Sequence, residues 1–307
     1  MSLEKFKKLP TQEIKSDYLR NILENNDART QELWRLLEVT ERYVDDNFWK
    51  KDPLDTNNSN FSSKLWEMVI IDYFLRRGAN VVPTAQRKNT KQGNPDLEII
   101  LGDNRKLFVE CATATKGESP EDFYEDGYSG SYSEFLRPKL VRLSNSIDFK
   151  NKKLKGYLKN EVVRSNDIVI FAINSVGYTD TSASATLNKF LYQQGDMTLT
   201  MDRNTGKFID SYFQHDPNFL KFNKENDSTE LQNGFFVNNN DRPQNLIGVL
   251  YTGFFPLGTQ PASSFYVGFD NQYTEYANLI GSFFSDYNYI QKIDSSGVEL
   301  KEIRSKN

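Results

Sequence analysis

The stretch "DIVIFAINSV", residues 167–176, constrains this chain more than any other. A strand covered on one face alternates apolar and polar residues. This run does not alternate, so it must be covered on both faces, as in a sheet with helices packed above and below. The flanking pattern supplies such helices. "SSKLWEMVIIDYFLRRG" reads as a helix with Ser at its N-cap and Gly78 as its stop. "RPKLVRLSNSIDFKNKKLKGYLKNEVV" reads as one or two more. Between them, "ANVVPTA", "PDLEIILG" and "KLFVECATAT" read as strands, the last two joined by the tight turn "GDNR". From residue 62 to 176 the order is helix, strand, strand, strand, helix, strand, an α/β unit with a mixed sheet.

Outside that unit the reading is coarser. Residues 10–50 carry helical spacing, as in "TQELWRLLEVTERYVDDNFW", and "KKDPLDTNNSNFSS" reads as a linker. "DMTLTMDRNTGKFIDSYF" predicts a hairpin around Asn204-Thr205-Gly206. "LIGVLYTGFF" and "SSFYVGF" predict strands, and "EYANLIGSFFSDYNYIQKI" predicts a helix. The expected organisation is a helical N-terminal extension over 1–54, an α/β core over 55–180, and a β-rich C-terminal extension over 181–307 packed on the core. With 22 Phe and 16 Tyr in 307 residues there is ample material for a core. One Cys forbids an internal disulfide, and one Cys with one His argues against a structural zinc site. "MSLEKFKKLPTQEIKSDYLR" lacks the apolar centre of a secretory signal, and no apolar run is long enough to span a bilayer. The expectation is a cytoplasmic protein with no membrane partner. Oligomeric state is not legible.

The chemistry concentrates in the hairpin. Side chains alternate faces along a strand, so Asp96 shares a face with Glu98, and Glu110 with Phe108 and Ala112. Asp96 and Glu110 therefore stand side by side across the ladder. Two carboxylates that close raise each other's pKa and cost stability. A divalent cation removes the cost, and Mg²⁺ often takes only one or two protein carboxylates. A third acid, Glu67, sits among Ile70, Ile71 and Phe74 on the apolar face of its helix, where a lone charge is expensive.

Helix Glu67, then Pro95-Asp96, a short turn and Glu110 on the next strand resembles the PD-(D/E)XK, or restriction-endonuclease-like, nuclease superfamily. The resemblance covers roughly residues 60–176. Over a longer span, "RLSNSI", "DIVIFAIN", "LTMDRNTG" and "LIGVLYT" are also similar to a group of bacterial proteins of unassigned function with that fold. The likeness implies a restriction-endonuclease-like core with a mixed central β-sheet flanked by helices. It also implies hydrolysis of nucleic-acid phosphodiesters with Mg²⁺ or Mn²⁺ held by Asp96, Glu110 and Glu67. DNA and RNA are not distinguished. The chain departs from the pattern two residues after Glu110, where Ala112 stands in place of the superfamily's lysine.

Lys116 has the right parity, but six residues of strand put it about 20 Å from Glu110. Lys150 is the better replacement. It falls in a stripe with Leu143, Ile147, Leu154 and Leu158 at helical spacing, where Leu or Ile would be the ordinary choice. In some members of the superfamily the lysine has migrated to this helix. The expected catalytic residues are thus Asp96, Glu110 and Lys150. Residues 137–164 hold nine Lys or Arg against Asp148 and Glu161, a local net of +7 that leaves -11 for the rest of a chain at -4. Arg142, Lys152, Lys153 and Lys155 on this helix, with Arg87 and Lys88 on the loop before Pro95, are the expected nucleic-acid contacts. Cys111 points away from Glu110 and reads as a buried small residue. Two rival readings stay open: an inert module of the same fold that binds nucleic acid, and a protein-interaction or effector protein using the Tyr- and Phe-rich C-terminal half.

Overall fold

The computed structural model describes residues 3–8, 10–25, 27–44, 58–87, 93–114, 132–175, 183–192, 194–215, 218–222, 228–232, 235–238, 242–252, 266–269, 276, 280, 283–284, 288–294 and 297–303. The fold is α/β, with a mixed central sheet flanked by helices. Among the described residues the sheet has eight strands in the order β1-β2-β3-β4-β9-β10-β11-β12. They span Asn80–Val81 (β1), Leu97–Ile100 (β2), Lys106–Thr113 (β3), Ile168–Asn174 (β4), Leu246–Thr252 (β9), Tyr266–Phe269 (β10), Asn288–Asp294 (β11) and Gly297–Ile303 (β12). β2 and β3 form the expected antiparallel hairpin, whereas β3, β4 and β9 run parallel. β4 is buried at every position, as its unbroken apolar run requires, and so is β9. β9 lies beside β4, so the central sheet continues past residue 180.

Two helical layers cover the sheet. On one face, α1 (Leu3–Lys7), α2 (Asp17–Asn25), α3 (Ala28–Thr40) and α4 (Asn58–Arg76) pack against Leu97, Ile99, Val109, Cys111, Ile170 and Ala172. On the other, α5 (Tyr132–Lys159) and α6 (Ala183–Tyr192) pack against Phe108, Val169, Phe171, Ile173, Val249 and Tyr251. The helix α4 is apolar nearly all round because it is sandwiched between the sheet and the N-terminal helices. Its Trp66 donates its indole N–H to the Ala172 carbonyl of β4 at 2.9 Å. Arg35 of α3 clamps Asp72 of α4 with two hydrogen bonds of 2.8 and 2.9 Å, tying the N-terminal helices to the core.

The stop at Gly78 is as expected. Gly78 has φ +74°, its N–H bonds Leu75 O, and the N–H of Ala79 bonds Phe74 O, the paired closure that a left-handed residue permits. α5 closes the same way over Tyr157 and Leu158, but the left-handed residue is Glu161, at φ 54°. The β2–β3 turn places Asn104 at φ 66°.

Two expectations are corrected, and the choice between one and two helices in the basic segment is resolved. α4 begins at Asn58, inside the stretch expected to be linker, so Ser62 and Ser63 lie within the helix and do not cap it. Asn and Ser suit a first turn as well as a loop, which hides such a start. The basic segment forms one helix of 28 residues, unbroken past Asp148. "NYIQKI", expected to be helical, lies in β11 between β10 and β12, where tertiary pairing overrides local pattern. The remainder of that expected helix is largely outside the described residues. The hairpin around Asn204-Thr205-Gly206 forms, from β5 (Gln194–Met201) and β6 (Phe208–His215). Asp202 accepts from Asn204 N, Thr205 N and Thr205 Oγ1 in its turn. β7 (Asn218–Phe222) pairs with β8 (Ser228–Gln232), and α7 spans Phe235–Asn238.

Candidate active site

The hairpin register fixes the two acids. Leu97 pairs with Val109 and Glu98 with Phe108, so Asp96 falls opposite Glu110 at the entrance to β2. The helix α5 lies over this face of the sheet and presents Leu140, Leu143, Ile147, Leu154 and Tyr157 to it. Lys150 is in the middle of that buried stripe. Its Nζ donates to Glu110 Oε2 at 2.7 Å and to Asp96 Oδ2 at 3.0 Å. The side chains are 9% exposed for Lys150, 1% for Glu110 and 14% for Asp96, so the lysine bridges two acids inside the protein. The N–H of Cys111 also donates to Asp96 Oδ2, at 2.7 Å, and holds the carboxylate across the ladder. Ala112, at the departed lysine position, packs against the α5 cluster.

Lys153, one turn on, joins the same site. Its Nζ lies 3.1 Å from Glu110 Oε2, 3.3 Å from Glu110 Oε1 and 4.0 Å from Asp96 Oδ1. The sequence suggested it as a phosphate contact, and its place here was missed. The signal was its spacing of three from Lys150, which puts both on one helix face. Tyr157, a turn beyond Lys153, donates its hydroxyl to Asn94 O at 2.9 Å, and its ring lies 5.4 Å from Lys153 Nζ.

Glu67 does not join the pair. Among the described residues no three acidic, imidazole or thiol side chains gather as a metal-holding group. Glu67 is held instead by Lys64 of its own helix, with both oxygens within 3.0 Å. It remains close enough to Asp96 to feel its charge.

No protein-family model, curated protein or solved structure matches the chain. The geometry and electrostatics of the site carry its interpretation.

Burial is the largest influence on every group here. It pushes Asp96 up, but the charges of Lys150 and Lys153 and the Cys111 N–H outweigh it, and the Asp96 carboxyl ends below its ordinary value. Glu110 goes the other way: burial and the charge of Asp96 outweigh the lysines and leave it raised. Burial would lower Lys150, but Asp96 and Glu110 overcome it and hold the ammonium firmly charged. Glu67 is pushed up to about 7 by burial and then by Asp96. The buried Cys111 thiol is raised by desolvation and is a poor nucleophile.

The expected nucleic-acid contacts separate. Lys152 is exposed, and Arg142 and Lys155 are half-buried along α5. Arg87 is a strut: it donates to Asp96 O at 2.8 Å, Pro95 O at 3.3 Å and Val82 O at 3.1 Å, pinning the backbone that carries Asp96. Its Nε and Nη1 are committed to these carbonyls and its Nη2 is buried without a hydrogen-bond partner among the described residues, so the group is not presented to a phosphate. Lys88 and Lys116 lie outside the described residues. Asp96 and Glu110 supply the hard oxygen donors that Mg²⁺ or Mn²⁺ takes, in the number it usually takes from protein. The pair fits such an ion on one condition: Glu110 Oε1 and Asp96 Oδ1 must be released by Lys153.

Proposed function

We propose that this chain is a metal-dependent nuclease with a restriction-endonuclease-like core, hydrolysing phosphodiester bonds of nucleic acid in the cytoplasm. The observation that carries the reading is the bridge from Lys150 Nζ to both hairpin acids, at 2.7 and 3.0 Å. A buried lysine shared by two acids costs desolvation that a Leu or Met there would avoid. The arrangement supports a role for its charge.

In this reading Asp96 and Glu110 hold Mg²⁺ or Mn²⁺, which when bound supplies Lewis-acid polarisation of the scissile phosphate. Water attacks phosphorus, a new P–O bond forms, and the bond to the leaving oxygen breaks. Glu110 stays ionised as a ligand beside Asp96, and the proton of that water passes to solvent, which also protonates the leaving oxygen. Asp96, whose pKa is lowered, stays ionised as a ligand. Lys150 is too firmly protonated to act as a base, so it donates to the oxygens on which negative charge develops. Ala112 needs no replacement on β3, because the ammonium arrives from α5. The exposed Lys152, with Lys155 and Arg142, lines the helix as a track for the sugar–phosphate backbone.

The test is single-turnover cleavage of labelled DNA and RNA oligonucleotides with Mn²⁺. Asp96→Asn and Lys150→Met should each lower the rate on the order of 10²-fold or more. Full activity in Lys150→Met would remove it from the mechanism, and an inactive wild type would overturn the reading. A second reading is the inert nucleic-acid-binding module. It is favoured by the same two lysines, which already neutralise the acids without a metal ion. Calorimetric metal titration separates the two.

A further inference from the structure

Two ammonium groups sit on two carboxylates, but they are not equivalent. Lys150 is 9% exposed, contacts both acids at hydrogen-bonding distance, and emerges from a stripe of buried Leu and Ile. Lys153 is 32% exposed and hydrogen-bonds Glu110 alone, standing 4.0 Å from Asp96 Oδ1. Lys153 shares Glu110 Oε2 with Lys150, at 3.1 Å, and also faces the two oxygens Lys150 leaves uncovered, Glu110 Oε1 at 3.3 Å and Asp96 Oδ1 at 4.0 Å. A lysine stem has four rotatable carbons, and rotation moves its head several ångströms at little cost when it is partly in water. Lys153 is itself 32% exposed, so its head already has access to solvent, and its Nζ lies 5.4 Å from the ring of Tyr157.

We infer that Lys153 is a tethered counter-ion occupying the divalent-cation position between Asp96 and Glu110, displaced toward solvent when the cation binds. The inference rests on the reading of Asp96 and Glu110 as metal-binding acids, and it adds a competition that this reading does not contain. The protein carries its own monovalent occupant, so the acids are neutralised at every stage and the hairpin does not depend on metal to stay folded. Metal binding is weakened by the work of displacing Lys153. The displaced ammonium, one turn from Lys150 on the same helix face, then lies beside the site, where a phosphate oxygen would sit.

The experiment is calorimetric titration of the full chain with Mn²⁺, comparing wild type, Lys153→Met and Lys152→Met. Thermal unfolding with and without Mn²⁺ runs alongside. Lys152 is the control: it is exposed, and its loss removes the same formal charge from the same helix. Lys153→Met should bind Mn²⁺ at least about tenfold more tightly than wild type, because one like charge about 4 Å away is removed, partly screened by solvent. Lys152→Met should bind within about twofold, because a solvated charge that far away is screened. Without metal, Lys153→Met should melt below wild type, and Mn²⁺ should close that gap. Lys153→Gln, which keeps a polar head, should show the same affinity gain if Lys153→Met packs poorly. Equal affinity in wild type and both Lys153 variants would overturn the tethered counter-ion and leave the metal-site reading standing. Equal gains in the Lys152 and Lys153 variants would also overturn it, as a field effect. No binding in any variant would overturn both.

Discussion

Lys150→Met tests the buried bridge directly through stability. At an effective permittivity of about 20, charges as close as the 2.7 Å and 3.0 Å contacts attract by about 6 kcal/mol each. Desolvation of each ion offsets several kcal/mol of this. Removing one partner of such a cluster still costs about 3–5 kcal/mol, because the remaining charges are left buried. Lys153 stays on Glu110, so the lower end, about 3 kcal/mol, is expected. In the variant Asp96 and Glu110 face each other with one cation fewer. Their folded pKa values then rise above those of the unfolded chain, so the folded state takes up protons first as pH falls. The deficit should therefore be largest at pH 8 and shrink toward pH 5. Urea unfolding at the two pH values, followed by the fluorescence of the three tryptophans, measures it. Adding Glu110→Gln to Lys150→Met should restore about 1–2 kcal/mol at pH 8, as contacting residues couple non-additively. A deficit under about 1 kcal/mol at pH 8, or one independent of pH, would refute a buried ionic bridge.

Five further outcomes follow from the same geometry. Glu67 is pushed up to about 7 from 4.5, so the stability tied to its proton is present at low pH and lost as pH rises through 7. Glu67→Gln should gain on wild type between pH 5 and 8, by at most about 3 kcal/mol less the lost Lys64 pairing; pH-dependent melting reads it. Glu161→Gly should stabilise by about 0.5–1 kcal/mol in urea unfolding, because the left-handed C-terminal residue of α5 no longer strains a Cβ. Trp66→Phe leaves the Ala172 carbonyl without the indole donor and should cost about 1–3 kcal/mol by the same measurement. Lys152→Ala with Lys155→Ala should flatten the log–log salt dependence of duplex DNA binding by about 0.9 for each phosphate that is no longer neutralised. Arg87→Met should leave that slope alone and lower the melting temperature.

The parts of the fold legible in the sequence are those where one physical demand dominates. β4 has no polar residue between Asp167 and Asn174, and a strand with that run has to be covered on both faces. Gly78 is needed where the chain turns left-handed, and a glycine there is informative. The start of α4 was hidden because Asn58, Ser59 and Asn60 are as much at home in a turn as in a first helical turn. β11 was hidden because its strand character comes from lying between β10 and β12 in the sheet. Local pattern contains no record of such partners.

The candidate site divides along the same line. Asp96 and Glu110 were legible because hairpin register and side-chain parity are both periodic, and the two periods together fix which side chains meet. Lys150 was legible because a charge among Leu143, Ile147 and Leu154 has to find a partner, and that stripe faces the sheet. Parity and amphipathicity say which face a group lies on, but not how close it comes. Glu67 shows the limit. Its face was read correctly as apolar, yet its partner proved to be Lys64, three residues back on the same helix. Lys153 shows the converse: a basic run invites a phosphate reading, while the acids it faces lie more than 40 residues earlier in the chain. Charge compensation among buried groups is a sum over everything packed around them. The hairpin acids could thus be found from sequence, whereas the cations that neutralise them could be counted only once α5 lay across β3.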